Sequence, residues 1–253
     1  MPRQVRKRSS TGMYHIMLRG IDKRNIFLDD EDRERFLGNV EKAKQVGNFK
    51  LFGYCLMDNH VHLLVKEDEE IGTSIKRISV GYVGWHNRKY ERTGHLFQNR
   101  YTSETVETES YLLTVLRYIH QNPVKAGIIK KAEDYQWSSY CKYALDYQGE
   151  KSFISSEMIK AYFKTYKDFK NFMNAKNNDE CLEYNPVKRY NDKVLSELIR
   201  VKYNIDNVNK MPTEKRNEII RAIYCEKKTS IRQLSRVLGI GKGVIEKTLK
   251  KDK

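Results

Sequence analysis

Two histidines one residue apart, His60 and His62, have the type and spacing that most directly indicate chemistry. In a β-strand, residues i and i+2 project from the same face, so the two imidazoles would lie side by side. Neutral imidazole nitrogens are common ligands of divalent metals. The alternative is a strand that carries the pair by chance. The apolar segments 54–57 and 63–65 indicate a central strand, where histidines without partners are costly, so both interpretations stay open.

A second candidate segment contains Tyr118 and Asn122. Their i, i+4 spacing places them one turn apart on one face of a helix. The amide oxygen of Asn122 could complete a metal site built on two histidines, and a phenol beside that metal could act as a nucleophile. Taken alone, Tyr118 is one of 17 tyrosines, and a packing role explains it better. His120 points to another side of the helix, at about 100° per residue, and is not assigned as a general base.

The hydrophobic pattern predicts the elements that would position these residues. Strands are predicted at 12–19, 49–57, 60–66 and 96–106, and helices from the acidic run 29–32 to Gly47, at 71–92 and at 111–121. Asp58-Asn59 marks a hairpin turn, and Asn122-Pro123 is predicted to stop the last helix. The order strand, helix, strand, strand, helix, strand predicts an α+β fold, a ferredoxin-like βαββαβ sandwich.

Beyond this core the pattern predicts further helices and a second motif. Helices are predicted at 132–147 and 155–174, followed by a polar linker at 177–191. Helices at 214–226, 230–239 and 241–250, with Gly239 between the last two, predict a helix-turn-helix, with a generic three-helix lid as the alternative. We therefore expect a catalytic domain at 1–150, a helical connector at 151–205 and a basic DNA-binding helix-turn-helix at 206–253.

Charge narrows the class of partner. The chain of 253 residues carries a net charge of +15 at pH 7, and residues 151–253 hold 24 basic and 13 acidic side chains. This excess favours a polyanion such as nucleic acid, with a solvated basic surface as the alternative. The four cysteines show no CxxC spacing, so reduced thiols in a cytoplasm are expected. No apolar run reaches membrane-spanning length, and the N-terminus has no secretory signal pattern, so no membrane partner is expected.

Five segments resemble the REP-associated tyrosine transposases, which belong to the IS200-like group of single-tyrosine HUH transposases. In chain order they are Lys23–Phe36, Leu56–Val65, Gly94–Tyr101, Arg117–Val124 and Trp137–Tyr140. The resemblance covers about residues 12–145. A histidine pair alone is weakly specific, whereas the ordered set of five segments is strongly specific.

The resemblance implies a concrete mechanism. His60, His62 and Asn122 match the positions that hold Mg²⁺ or Mn²⁺, and Tyr118 matches the nucleophile. Such enzymes cleave and rejoin single-stranded or hairpin DNA through a 5′-phosphotyrosine intermediate. Two positions depart from the pattern of the group. The first is Asn122, because the third metal ligand of the group is often Gln, which is longer than Asn. The second is Asp58, which replaces a common Pro and is interpreted either as a turn residue or as a residue that contacts a metal ligand.

Six residues are predicted to contact DNA: Arg19, Gln98, Arg100, Arg117, Lys242 and Lys247. Relatives act as dimers or as monomers, so a homodimer is one expectation. Two other functions remain open at this stage. One is a non-catalytic DNA-binding protein that uses the helix-turn-helix, and the other is a metal-dependent phosphohydrolase with a water nucleophile.

Overall fold

A computed structural model of the chain describes residues 6–182, 191–203, 211–227 and 229–250. These residues form two compact units, one ending at residue 182 and one beginning at residue 191. Each unit has its own hydrophobic core. None of the described helices is both long enough and apolar enough to cross a membrane.

The first unit contains a four-stranded antiparallel sheet. Its strands are β1 (Met13–Arg19), β2 (Lys50–Met57), β3 (His60–Lys66) and β4 (Thr102–Thr105), in the spatial order β2-β3-β1-β4. β2 and β3 form the hairpin predicted at Asp58-Asn59. The mixed α/β class expected from the sequence is therefore confirmed.

Six α-helices accompany the sheet: α1 (Asp30–Gly47), α2 (Ile71–Lys89), α3 (Glu109–Lys125), α4 (Tyr140–Tyr147), α5 (Glu157–Lys160) and α6 (Tyr166–Asn174). α1 begins with a capping box, in which Asp29 and Asp32 each accept from the other's backbone N–H. α1 packs on α2, and α3 packs on β2, β3 and α6. Phe169 and Met173 of α6 are fully buried in the same core as the sheet.

Four predicted elements are wrong in extent, and one of them, the helix predicted at 155–174, is divided into α5 and α6. α3 continues through Pro123 to Lys125 rather than stopping at Asn122. A proline breaks a helix interior because it removes one hydrogen bond and crowds the preceding turn, but this one lies in the last turn. The carbonyls of Asn122 and Pro123 still accept from the backbone N–H groups of Ala126 and Ile128.

The predicted helix 132–147 is interrupted at Trp137–Ser139. The Leu56 N–H donates to the Trp137 carbonyl, and the Ser139 N–H donates to the Tyr54 carbonyl. This segment pairs with the outer edge of β2, an interaction that no local pattern records. The predicted strand 96–106 is likewise reduced to Thr102–Thr105, with one isolated bridge from Phe97 to Gly20.

The second unit is entirely helical among its described residues. It contains α7 (Asp192–Tyr203), α8 (Thr213–Lys227), α9 (Ile231–Leu238) and α10 (Lys242–Lys250). The last three are the helices predicted at 214–226, 230–239 and 241–250. Ser230 caps α9 by accepting from the Gln233 N–H, and Gly239 ends it with a φ of 63°, in the left-handed region that glycine favours.

The two cores divide the chain differently from the expected domains. Residues 151–182 pack with the sheet, whereas Leu195 and Ile199 of α7 pack with α8–α10, so the expected connector at 151–205 is shared between the units. The predicted linker at 177–191 lies outside the described residues for positions 183–190.

Candidate active site

Strand register gathers four side chains on one face of the sheet. Residues directly opposite each other on paired strands project to the same side. β1 pairs Arg19 with His60 and Met17 with His62, and the other side of β1 pairs His15 with Glu104 of β4. Since residues two apart also share a face, His60, His62, His15 and Glu104 lie on the same side.

The three histidines form a contiguous cluster. The rings of His60 and His62 are 4.9 Å apart between centroids, edge to face, and His15 Nε2 lies 2.9 Å from His62 Nδ1. His15 and His62 are buried, whereas His60 is partly exposed and its Nδ1 lies 2.6 Å from Asn59 Oδ1. The cluster therefore runs from the protein interior at His15 to the surface at His60.

Burial sets the charge state of the two interior histidines. It holds the pKa of His62 well below its ordinary value, and the nearby His15, His60 and Arg19 lower it further. Burial also lowers the pKa of His15, although the Glu104 carboxylate, 3.7 Å from His15 Nδ1, acts in the opposite direction. Both rings are thus neutral near pH 7, which is the form that binds a metal.

Tyr118 faces this cluster from α3. Its ring centroid is 5.8 Å from that of His62 and 5.9 Å from that of His15, and the residue is only 3% exposed. Lys125 Nζ lies 4.7 Å from the ring centroid, on a cation–π contact. The tyrosine and the histidines thus meet within one chain.

A glycine permits this close approach of helix and sheet. A Cβ atom on Gly53 of β2 would lie 2.6 Å from Leu116 Cδ1 of α3. Because Leu116 and Tyr118 sit on the same helix, the distance between α3 and β2 also sets how near Tyr118 comes to the histidines.

Asn122 keeps its predicted relation to Tyr118. Since α3 is continuous through Lys125, Asn122 lies one turn beyond Tyr118 and is partly exposed. In the part of the chain that the structure describes, no group of three or more His, Cys, Asp or Glu side chains is placed to hold a metal. The donors expected from the sequence are two imidazoles and an amide oxygen, types that suit a divalent cation with further positions for phosphate oxygens.

The predicted DNA contacts lie in different settings. Gln98 and Arg100 are exposed in the segment before β4, and the Gln98 N–H donates to the carbonyl of the half-buried Arg19. Lys242 and Lys247 are exposed on α10 in the other unit. Arg117 differs, because its guanidinium donates to both carboxylate oxygens of Asp179 at 2.7 and 2.9 Å and lies over Phe172. A phosphate contact by Arg117 would require that ion pair to break.

Two neighbouring residues have structural roles. Asp58 pairs with Arg33 at 2.6 Å, and its carbonyl accepts from the Ile26 and Phe27 N–H groups, so the turn interpretation holds. His120 is fully buried with Nε2 2.7 Å from Ser139 Oγ, and burial lowers its pKa to about 3.

Sequence reasoning gave no role to three residues of the site, His15, Glu104 and Lys125. His15 and Glu104 meet through the pairing of β1 with β4. Lys125 was not considered because the helix was predicted to end before this residue. The one available signal was the alternation of His15, Met17 and Arg19 along the first strand, which assigns His15 and Arg19 to one face.

Comparison with known proteins finds similarity to transposases. Residues 8–122 match the family described as IS200-like transposase, and the match ends at Asn122, so it includes both candidate segments. Over residues 8–122, the resemblance to the IS200-like transposases inferred from the motifs is therefore confirmed.

One relative and one solved structure show how much of the chain the similarity covers. A Haemophilus influenzae protein, provisionally described as a REP-associated tyrosine transposase, is 22% identical in an alignment of 142 residues that covers 51% of this chain and 80% of that protein. The solved structure of a REP-associated tyrosine transposase bound to a REP hairpin is 13% identical. It covers 72% of this chain and 96% of its own, with a TM-score of 0.51, which shows a shared fold.

Proposed function

We propose that this chain is a single-tyrosine HUH strand transferase that cleaves and rejoins DNA. The observation that carries the proposal is the placement of Tyr118 beside His62 and His15, all three buried at one face of the sheet. The strand order and the βαββαβ connection support a ferredoxin-like core for this site.

His60, His62 and Asn122 are the residues that would hold Mg²⁺ or Mn²⁺. Bound there, the cation supplies Lewis-acid chemistry, polarising the scissile phosphodiester and offsetting its charge. Both histidines extend from one β-strand, so little ordering is needed when the ion binds.

Tyr118 performs the covalent step. Its phenol oxygen attacks phosphorus, the bond from phosphorus to the 3′ oxygen breaks, and the phenol proton ends on the departing 3′-OH. A 5′-phosphotyrosine ester remains, so the downstream strand stays attached to the protein. A 3′-OH can reverse the step without a nucleotide cofactor, which makes rejoining the natural outcome.

The substrate we propose is single-stranded or hairpin DNA. The relative solved with a REP hairpin supports this choice, as does the excess of basic residues at 151–253. In the first unit, Arg19, Gln98 and Arg100 are the proposed contacts near the site. We propose that the reaction takes place on DNA in the cytoplasm.

The second unit is proposed to bind DNA as a helix-turn-helix. α9 and α10 are joined by the short turn at Gly239, and α10 exposes Lys242 and Lys247. This arrangement also supports the alternative function, a non-catalytic DNA-binding protein. The site itself needs no second chain, because Tyr118 reaches the histidines of its own chain, so we propose that a monomer suffices and that a homodimer is not required.

Labelled oligonucleotides test the function. Hairpins labelled at either end are incubated with Mn²⁺ or Mg²⁺ and run on denaturing gels, with wild type, Tyr118→Phe, His62→Ala and the control Tyr162→Phe. We expect a slow protein–DNA band carrying the 3′ label in wild type and in the control, and its loss in the other two variants and with EDTA.

Other results select the alternatives. Cleavage without an adduct that survives Tyr118→Phe would indicate a water nucleophile and a phosphohydrolase. Binding on native gels without any cleavage, across both metals, would leave the non-catalytic DNA-binding function.

A further inference from the structure

A carboxylate, His15 and His62 form a chain of contacts that ends at the candidate metal site. Glu104 of β4 lies directly opposite His15 of β1, with 3.7 Å between its Oε2 and His15 Nδ1. On its other ring edge, His15 Nε2 lies 2.9 Å from His62 Nδ1. His15 is fully buried, so neither of its ring nitrogens can form a hydrogen bond with bulk water.

The order of the three side chains, Glu104, His15 and His62, determines which nitrogen of each imidazole carries the proton. A neutral imidazole has one N–H donor and one acceptor. The carboxylate favours the N–H of His15 at Nδ1, because a nitrogen lone pair facing an anion is repelled. His15 Nε2 must then accept, which requires the donor of His62 to be Nδ1.

The consequence falls on the other nitrogen of His62. With its proton on Nδ1, His62 holds a lone pair at Nε2, which is the form that can bind a metal. In the reverse arrangement, His15 would donate to His62 Nδ1, and His62 Nε2 would carry a proton and be blocked. Partners of this kind that orient metal-binding histidines contribute about 10- to 100-fold in metal affinity.

We propose that His15, held by Glu104, is a positioning residue that fixes His62 in the tautomer able to bind the divalent cation. This inference rests on the proposed function, because it assumes that His62 is a ligand. It concerns neither the nucleophile nor the DNA.

A packing role for His15 is the competing explanation, since its ring also contacts the edge of Tyr118. Two substitutions separate the roles. His15→Phe keeps a ring of similar shape and removes the acceptor, whereas His15→Gln loses the ring and places a polar atom near the former Nε2. His86→Phe is the matched control, because His86 is another fully buried histidine, packed against Tyr82 and Tyr90.

The first experiment measures Mn²⁺ binding to the full-length protein without DNA, by electron paramagnetic resonance titration, after circular dichroism has confirmed folding. We expect His15→Phe to weaken Mn²⁺ binding about 10- to 100-fold, His15→Gln to restore most of it, and His86→Phe to leave it unchanged. Equal affinity in wild type and His15→Phe would overturn the inference, as would better binding by His15→Phe than by His15→Gln.

The second experiment reads the tautomer directly. In ¹⁵N-labelled, metal-free protein, long-range proton–nitrogen spectra distinguish the protonated ring nitrogen from the unprotonated one. We expect His62 to be protonated at Nδ1 in wild type and to lose this preference in His15→Phe. A wild-type His62 protonated at Nε2 would contradict the inference even if the protein cleaves DNA. Wild-type protein that binds no Mn²⁺ through His60 and His62 would instead contradict the proposed function.

Discussion

Lys125 stands over the ring of Tyr118 and donates to the Asp179 carbonyl at 2.8 Å, so its ammonium group is held in place beside the proposed nucleophile. A fixed cation there favours the negative charge that the phenol oxygen gains as it gives up its proton. The residue belongs to the last turn of α3, beyond the proline at which sequence patterns would end the helix.

Lys125→Ala should slow single-turnover cleavage about tenfold, which corresponds to the ~1–2 kcal/mol of a partly desolvated cation–π contact. DNA affinity should change little, because one charge is lost from a strongly basic chain. Lys76→Ala, which removes an exposed lysine of α2, is the control. Equal rates for the two variants would show that Lys125 does not act on Tyr118.

His120 makes a prediction about stability and pH. Burial lowers its pKa to about 3, whereas the unfolded chain has the ordinary value of about 6.5. Between these values the unfolded state binds more protons, so the free energy of unfolding falls as pH falls below about 6.5, by up to about 1.4 kcal/mol per pH unit.

Urea unfolding of wild type and His120→Gln from pH 7 to pH 4 measures this term. The glutamine keeps a partner for Ser139 and cannot take up the proton, so its curve should be flatter by about one proton. Parallel curves would mean that His120 is not responsible for the loss of stability in acid.

At the scale of elements, the approach of α3 to β2 depends on the absence of a side chain at Gly53. Gly53→Ala should destabilise the protein by about 1–3 kcal/mol, because the new methyl group forces Leu116 from its position. Leu116→Val removes the Cδ1 atom that the new methyl group at position 53 would contact. The double variant should therefore be more stable than the sum of the single effects predicts.

Equilibrium denaturation of the wild type, the two single variants and the double variant measures the coupling free energy between positions 53 and 116. Additive effects, with no coupling between positions 53 and 116, would show that the sheet and helix adapt without this contact. The cleavage rate of Gly53→Ala then reports whether a displaced α3 also displaces Tyr118.

Elements were predictable where the pattern is local. The hairpin at Asp58-Asn59, the capped helix after Asp29 and the three C-terminal helices follow from turn residues, caps and periodicity. The break at Trp137–Ser139 was not predictable, because hydrogen bonds to a distant strand replace those of a helix. Of the candidate site, the motif residues could be chosen from sequence, whereas the meeting of His15 with Glu104 depends on strands β1 and β4, which are far apart in the chain.

At the scale of the whole molecule, the chain combines a sheet-based unit with a basic helical unit. The salt dependence of DNA affinity reports how many phosphate contacts each unit makes. Lys242→Ala and Lys247→Ala should each lower the slope of log affinity against log salt by about 1 if α10 contacts phosphates.

Lys193→Ala, an exposed lysine on α7, is the control for loss of charge from the same unit. The binding assay uses the hairpin of the cleavage assay over a range of salt concentrations. Slopes that stay unchanged in both α10 variants would assign the basic character of this unit to solubility instead of DNA binding.

The pairing of Trp137–Ser139 with β2 also determines how the sheet ends. An exposed outer strand offers unpaired backbone groups to any other strand and so invites aggregation. Here the Leu56 and Ser139 N–H groups are used within the chain, and the Ser155 N–H donates to the Leu51 carbonyl further along the same strand. The opposite outer strand, β4, has only four residues. The protein thus protects both margins of its sheet against uncontrolled self-association, one by covering it and the other by keeping it short.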